Sequence, residues 1–171
     1  MPHVHVCPLS QVAVTVATSS ASHLVSVIND DTPVDRPPSI ASENHLFVGI
    51  NDIVEPQDGL IVPDETHVRQ LLDFVESWDR QHPLVVHCYA GISRSTAAAY
   101  VALCAVRPET SEREIAMRMR EASSAAFPNP LIVAHGDQIL GRGGRMIEAV
   151  NAMGRGELAF EGVPFALPLV D

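Results

Sequence analysis

Residues 83 to 106 place a short loop between two apolar segments, and this arrangement limits the folds open to the chain. The first segment, "PLVVH", is continuously apolar up to its histidine, which is typical of a parallel strand covered on both faces. The second, "TAAAYVALCAV", consists of residues compatible with a helix and ends shortly before Pro108. A buried strand that leads directly into a buried helix is typical of α/β folds.

Further strands and helices alternate along the rest of the chain. Apolar periodicity and capping residues predict strands at residues 22 to 28 and 44 to 50, and helices that begin near Asp64, Ser111 and Pro130, the last with a glycine-rich interruption at 141 to 144. We therefore expect an α/β fold with a mostly parallel central sheet flanked by helices. It should form a single compact domain over residues 1 to 171, with a core at about 20 to 153 and an extended C-terminal tail at 154 to 171.

Composition narrows the possible partners. A chain of 171 residues that is 46% hydrophobic can build one full core. Its formal charge of −10 argues against binding to nucleic acid or to anionic membranes. No apolar run approaches the length of a transmembrane helix, and the N-terminal stretch lacks the cationic start of a signal peptide. Three cysteines form an odd, sparse set, so we expect a cytoplasmic protein without disulfide bonds.

The loop at residues 88 to 94 has the composition of an anion site with a nucleophile. Backbone N–H groups between a strand and a helix N-terminus form a concavity that binds anions, and Gly91 permits the turn. Arg94 adds a planar fork that fits two phosphate oxygens. A cysteine in such a positive setting has a lowered pKa, which predicts a thiolate at Cys88. Cys88 would then attack phosphorus while Arg94 and the loop amides hold the other oxygens.

The segment "HCYAGISRS", residues 87 to 95, resembles the H-C-x-x-G-x-x-R-S/T signature of the cysteine-based protein tyrosine phosphatases, and it is closest to their dual-specificity branch. The resemblance extends over roughly residues 20 to 140. It implies a phosphoric monoester hydrolase that works through a phosphocysteine intermediate, without a metal or a cofactor. Expected substrates are a phosphorylated protein or a small aryl phosphate. The loop has no cation besides Arg94 and offers Tyr89 and Ile92 at its rim, which favours phosphotyrosine, with phosphoserine and phosphothreonine as alternatives.

The same resemblance implies roles for individual residues. Cys88 is the nucleophile, Arg94 binds phosphate and stabilises the transition state, and Ser95 donates to the cysteine sulfur. His87 would orient the loop, and Asn129, in "FPNP", would brace the loops around the site or simply form a turn. The implied phosphate-binding residues are Tyr89, Ala90, Gly91, Ile92, Ser93 and Arg94.

Three aspartates upstream of the loop are candidates for the general acid that protonates the leaving group. Asp52 follows the second predicted strand in "GIND", so it should project from the same sheet edge as Cys88, and it is favoured. Asp58 is typical of a turn, although it remains an alternative. Asp64 is typical of a helix cap.

Other functions and sites are less favoured. The chain could be a phospho-binding module that keeps the site but turns over little, or a rhodanese-like sulfurtransferase, although "HC" and "RS" argue against the latter. His3, His5 and Cys7 in "HVHVC" share one side of a possible strand and could bind a metal, but an alternating edge strand is the commoner cause of this pattern. Cys104 is expected to be a buried helix residue, too far away for a disulfide with Cys88.

Overall fold

The computed structural model describes residues 2 to 169, which contain five strands and six α-helices. The strands are β1 (His3–Pro8), β2 (His23–Ile28), β3 (His45–Gly49), β4 (Leu84–Cys88) and β5 (Phe165–Pro168). The helices are α1 (Val12–Ser19), α2 (Glu65–Ser77), α3 (Arg94–Val106), α4 (Glu112–Ala122), α5 (Pro130–Ile139) and α6 (Arg145–Met153). These elements confirm the predicted α/β class and the strands and helices that the sequence indicated.

The sheet has the strand order β3-β2-β4-β1-β5, and all neighbouring pairs are parallel except β1 with β5. β1 therefore lies inside the sheet, between β4 and β5, and the expected edge strand at the N-terminus is wrong. β5 lies in the expected tail and pairs antiparallel with β1, with Val4 opposite Leu167. The sheet thus includes residues outside the core of about 20 to 153 that the sequence suggested.

The two faces of the sheet are covered unequally. On one face, α3 lies at the centre of the larger core, and all its residues from Arg94 to Cys104 are buried. Side chains of α2, α4, α5 and α6 complete this core. On the other face, the unpredicted helix α1 contributes Val12 and Val16 to a smaller cluster that includes Val85 of β4. Burial on both faces explains why β4 is continuously apolar.

Capping residues set two of the helix starts, as predicted. The Asp64 side chain accepts a hydrogen bond from the His67 backbone N–H (3.1 Å), and the His67 ring bonds back to the Asp64 backbone N–H. Ser111 accepts from the Glu114 backbone N–H (3.2 Å) at the start of α4. None of the helices between residues 2 and 169 is long and apolar enough to cross a membrane.

Candidate active site

The loop of residues 89 to 93 joins the last residue of β4, Cys88, to the first residue of α3, Arg94. The neighbouring strands β1 and β2 run parallel to β4, so their carboxyl ends lie at the same edge of the sheet. The segments that follow these strands therefore surround the loop. This is the place where open α/β sheets bind their ligands.

Backbone carbonyls of the loop point away from its centre, because N–H groups from other segments hold them. The four bonds are Leu9 N–H to Tyr89 O (3.1 Å), Gly162 N–H to Ala90 O (2.7 Å), Phe127 N–H to Ile92 O (2.9 Å) and Asn129 N–H to Ser93 O (3.1 Å). In a trans peptide, the C=O and N–H groups point in opposite directions. The loop N–H groups that follow these carbonyls consequently point inwards, as an oxyanion site requires.

Cys88 lies at the floor of this loop, with its side chain 2% exposed. Its Sγ is 3.2 Å from the Gly91 backbone nitrogen, which donates to it, and 3.0 Å from Ser95 Oγ. Gly91 has φ +71°, and a Cβ atom there would lie 2.7 Å from the Pro8 backbone nitrogen. Only glycine fits this position, both for its left-handed backbone and for the close approach of β1.

Arg94 is buried and its guanidinium is fixed by two acceptors. Its Nη1 donates to Asn29 Oδ1 (2.6 Å) and to the Ile50 carbonyl (2.8 Å). Asn29 follows β2 and Ile50 follows β3, so both acceptors come from the same sheet edge as the loop. Sequence reasoning missed Asn29, although a polar residue directly after a buried strand is the signal that selected Asp52.

His87 is fully buried beneath the loop and bonded through both ring nitrogens. Its Nδ1 is 3.1 Å from the Cys88 carbonyl, which can only accept, so Nδ1 carries the proton. Its Nε2 then accepts from Ser26 Oγ (2.6 Å), and Ser26 Oγ in turn accepts from His45 Nε2 (2.8 Å). Burial lowers the pKa of His87 from 6.5 to about 4; the hydrogen bond to Cys88 opposes this, and nearby His45 and Arg94 add to it.

This burial predicts an acid-sensitive fold. Below pH 6.5 the unfolded chain protonates at His87 while the folded chain resists until about pH 4, so the free energy of unfolding should fall across this window. The contribution lost is about 3 kcal/mol. His87→Asn removes this titrating group. The difference in free energy of unfolding between wild type and His87→Asn should therefore shrink by that amount between pH 7 and pH 4.

Urea unfolding of both proteins at a series of pH values measures this deficit, with His82→Asn as a control at an exposed histidine. A deficit that stays constant with pH would show that His87 is not held neutral.

Asp52 lies beside the loop and is attached to it. Its Oδ1 accepts from Ser93 Oγ (2.7 Å) and from Asn129 Nδ2 (2.9 Å). Both bonds end on Oδ1, so a proton on this carboxyl would sit on Oδ2. The structure thus brings together Asp52, the phosphate loop and Asn129, which the sequence predicted for one site.

Asn129 connects three segments. Its Oδ1 caps α5 by accepting from the Leu131 and Ile132 backbone N–H groups (3.0 and 3.1 Å). Its Nδ2 donates to Asp52, and its backbone N–H donates to Ser93 O. Asn129 therefore links Asp52, the phosphate loop and the start of α5.

The other two aspartates lie in local structure. Asp58 is exposed in the turn at residues 57 to 60, which the Leu60 N–H to Gln57 O bond closes (3.1 Å). Asp64 caps α2. Neither side chain is hydrogen-bonded to the phosphate loop, whereas Asp52 accepts directly from Ser93 of that loop.

A cavity of about 490 Å³ opens next to Asp52 and Ser93. Its apolar walls include Val54, Ile92 and Phe127, of which Val54 and Phe127 are exposed. Tyr89 lies on the rim of the loop with 66% of its surface exposed. A group attached to a phosphate in the loop would therefore have apolar and aromatic surface beside it.

Cys7 and Cys104 are buried cysteines outside the phosphate loop. All three cysteines are free and buried. Burial raises the pKa of both Cys7 and Cys104 to about 12, which keeps these thiols protonated and inert. No group of three His, Cys, Asp or Glu side chains that could hold a metal ion is found within residues 2 to 169.

Comparison with known proteins agrees with this geometry. The protein-tyrosine phosphatase family model matches residues 57 to 125. Human DUSP28 has a similar structure, with a TM-score of 0.62 and 18% identity over 88% of this chain and 95% of that chain. The Yvh1 phosphatase domain from Chaetomium thermophilum gives a TM-score of 0.57 and 22% identity, over 84% and 93% of the two chains. PTPMT1 in complex with PI(5)P gives 0.59 and 14%, over 82% and 94%. A search of curated proteins found no match.

The sequence match over residues 57 to 125 is to the protein-tyrosine phosphatases, and the whole fold is similar to that of solved phosphatases of this kind. The dual-specificity branch is represented among the similar structures. The region that the family model matches contains the loop and Arg94 but begins after Asp52 and ends before Asn129. The placement of Asp52 and Asn129 beside the phosphatase loop therefore comes from the structure alone.

Proposed function

We propose that this chain is a phosphatase of the cysteine-based protein tyrosine phosphatase type and hydrolyses phosphomonoesters through a phosphocysteine intermediate at Cys88. The observation that carries the proposal is the outward orientation of four loop carbonyls, which turns the N–H groups of the same peptides to the opposite side, where the Gly91 N–H donates to the Cys88 sulfur. Such a group of fixed donors stabilises both a bound phosphate and the charge that develops during its transfer.

In the first step, the Cys88 thiolate attacks phosphorus. The S–P bond forms as the P–O bond to the leaving group breaks, and Asp52 transfers a proton from its carboxyl to the departing oxygen. Arg94 binds two equatorial oxygens. Its Nη1 is already engaged by Asn29 and Ile50, so Nε and Nη2 form the edge that faces phosphate.

In the second step, water attacks the phosphocysteine. The Asp52 carboxylate takes a proton from the water as the new O–P bond forms and the S–P bond breaks, which releases inorganic phosphate and returns the thiolate. Ser95 Oγ, 3.0 Å from the sulfur, donates to the leaving thiolate. Asn129 and Ser93 hold the Asp52 carboxyl in place during both steps.

Substrate class follows from the surroundings of the loop. The sequence contains no lysine, and the loop of residues 89 to 93 contains no arginine, so Arg94 directly after it is the only cation of residues 88 to 94. A polyphosphorylated substrate needs a separate cation for each further phosphate. The rim instead offers Tyr89 and the apolar walls of the cavity beside Asp52. We therefore propose monophosphorylated protein side chains or small aryl phosphates as substrates, with phosphotyrosine favoured.

A panel of phosphomonoesters tests the proposed function. Expected kcat/KM values rank phosphotyrosine peptides above phosphoserine peptides, and both above phosphatidylinositol phosphates. Phosphatidylinositol phosphates are the informative comparison, because the structure is similar to that of PTPMT1 in complex with PI(5)P.

The opposite ranking would refute the assignment of substrate class. A single burst of product without turnover would indicate a phospho-binding module, and cyanide-dependent thiocyanate formation would indicate sulfur transfer.

We also propose a cytoplasmic location, supported by the three unpaired thiols.

A further inference from the structure

Residues 154 to 163, here called the C-terminal strap, connect α6 to β5 and pass beside the phosphate loop. Arg120 Nη2 donates to the Gly154 carbonyl (2.9 Å), and the Glu157 N–H donates to the Ser124 carbonyl (2.8 Å). Further along, the Ser10 hydroxyl donates to the Glu161 carboxylate. The strap is thus hydrogen-bonded to the body at Gly154, Glu157 and Glu161, and the Arg155 guanidinium also packs over the Phe127 ring, 5.5 Å from its centroid.

Gly162 makes the closest contact between the strap and the loop. Its N–H donates to the Ala90 carbonyl at 2.7 Å. A Cβ atom on residue 162 would lie 2.9 Å from Gly91 O and 3.4 Å from Ala90 O. The first of these distances is too short for real atoms, and the contacted atom is backbone. The strap can therefore approach this closely only with glycine at position 162.

The hydrogen bond from Gly162 acts on the peptide that faces Cys88. The Ala90 carbonyl and the Gly91 N–H belong to the same planar peptide and point in opposite directions. Gly162 holds the carbonyl, and the Gly91 N–H lies 3.2 Å from the Cys88 sulfur. If this peptide rotated, the site would lose a donor and gain a carbonyl oxygen that repels phosphate.

We propose that Gly162 is a positioning residue for phosphate binding: its N–H holds the 90–91 peptide with the Gly91 N–H directed into the site. This inference rests on the proposed function to the extent that the loop binds phosphate. It assigns a role to a segment about 70 residues beyond the loop, outside the region that the family model matches.

The strap contributes little burial of its own. Its apolar residues Leu158, Phe160 and Val163 are each at least 80% exposed. Since stability scales with the apolar area removed from water, disturbing the strap at Gly162 should change the unfolding temperature little. An effect on phosphate binding can therefore be separated from an effect on folding.

Gly162→Ala tests the proposal, with Val163→Ala as the matched control at the neighbouring exposed position. The φ of Gly162 lies outside the left-handed region, so alanine disturbs the contact with Gly91 O rather than the strap backbone. The probe is inorganic phosphate, and its affinity is measured as protection of Cys88 from alkylation by iodoacetamide. We expect Gly162→Ala to weaken phosphate binding about 10-fold to 100-fold, the effect of losing one donor to a charged group, and Val163→Ala to leave it unchanged.

A second variant, Gly162→Pro, removes the donor itself and should weaken phosphate binding at least as much. Both variants should keep an unfolding temperature within a few degrees of wild type. Wild-type phosphate affinity in both would overturn the proposal, as would an equal loss in Val163→Ala. If Gly162→Ala weakens phosphate binding but the wild-type protein turns over no phosphomonoester, the positioning role stands and the proposed function falls.

Discussion

Cys88→Ser should reduce turnover of every phosphomonoester by about 10⁶-fold, the scale of loss found when an enzyme nucleophile is removed. A serine hydroxyl at the floor of the loop has no strong base within reach: its neighbours there are Ser95 Oγ and the Gly91 N–H. It would stay protonated and could not attack phosphorus. Steady-state assays with nitrophenyl phosphate and with a phosphotyrosine peptide measure the loss.

Phosphate affinity should survive in the same variant, because Arg94 and the loop amides remain. Calorimetric titration with inorganic phosphate checks this. Cys104→Ala is the control, since Cys104 lies in the buried helix α3 and takes no part in the proposed chemistry. Residual activity of more than a few per cent in Cys88→Ser would contradict the covalent mechanism, whereas loss of phosphate binding as well would indicate a disturbed loop.

Asp52→Asn should lower kcat by about 10²–10⁴-fold for alkyl or phenyl phosphates, whose leaving groups need a proton. For nitrophenyl phosphate the loss should be much smaller, because nitrophenolate leaves without protonation. Asparagine is the informative replacement, since its amide oxygen can still accept from Ser93 and Asn129 while the proton donor is gone. The measurement is the ratio of kcat values for the two leaving groups.

Asp58→Asn is the matched control, the same replacement at an exposed turn on the same segment. It should leave the leaving-group ratio at the wild-type value. If Asp58→Asn shows the leaving-group dependence and Asp52→Asn does not, then Asp58 is the acid. The segment that carries Asp58 must in that case move towards the phosphate loop when substrate binds.

The nucleophilic loop was predictable because its chemistry is local in sequence. Cys88, Gly91, Arg94 and Ser95 lie within eight positions, between a strand and a helix that the apolar pattern already indicated. Asp52 was favoured by a second local rule, its position directly after a strand of the same sheet. The structure brings these residues together because parallel strands end at one edge.

The partners of the loop could not be predicted in the same way. Leu9, Phe127 and Gly162 act through backbone N–H groups, which every residue except proline possesses, so their identity carries no signal. Asn29 could have been found by the rule that selected Asp52, since both follow strands. His45 is connected to His87 by hydrogen bonds through Ser26. Such a chain of hydrogen bonds depends on strand order, which local sequence patterns do not determine.

Strand order was also the part of the fold that the sequence left open. β1 alternates apolar residues with the polar His3 and His5, which is typical of an edge, yet it lies between β4 and β5. Its inner position follows from pairing with residues far along the chain, and no local pattern encodes such pairing.

This placement of β1 has a consequence for how the protein folds. β1 is synthesised before the other four strands of this sheet, but its neighbours lie about 80 and 160 residues later, as the pairs Val4 with Leu84 and Val4 with Leu167 show. Closing such long loops is slow, because the entropy of closure must be lost before the contacts form. Until β4 and β5 emerge from the ribosome, both edges of β1 stay unpaired and open to other chains. Assembly of the phosphate loop should therefore be a late event, completed only after most of the chain has been made.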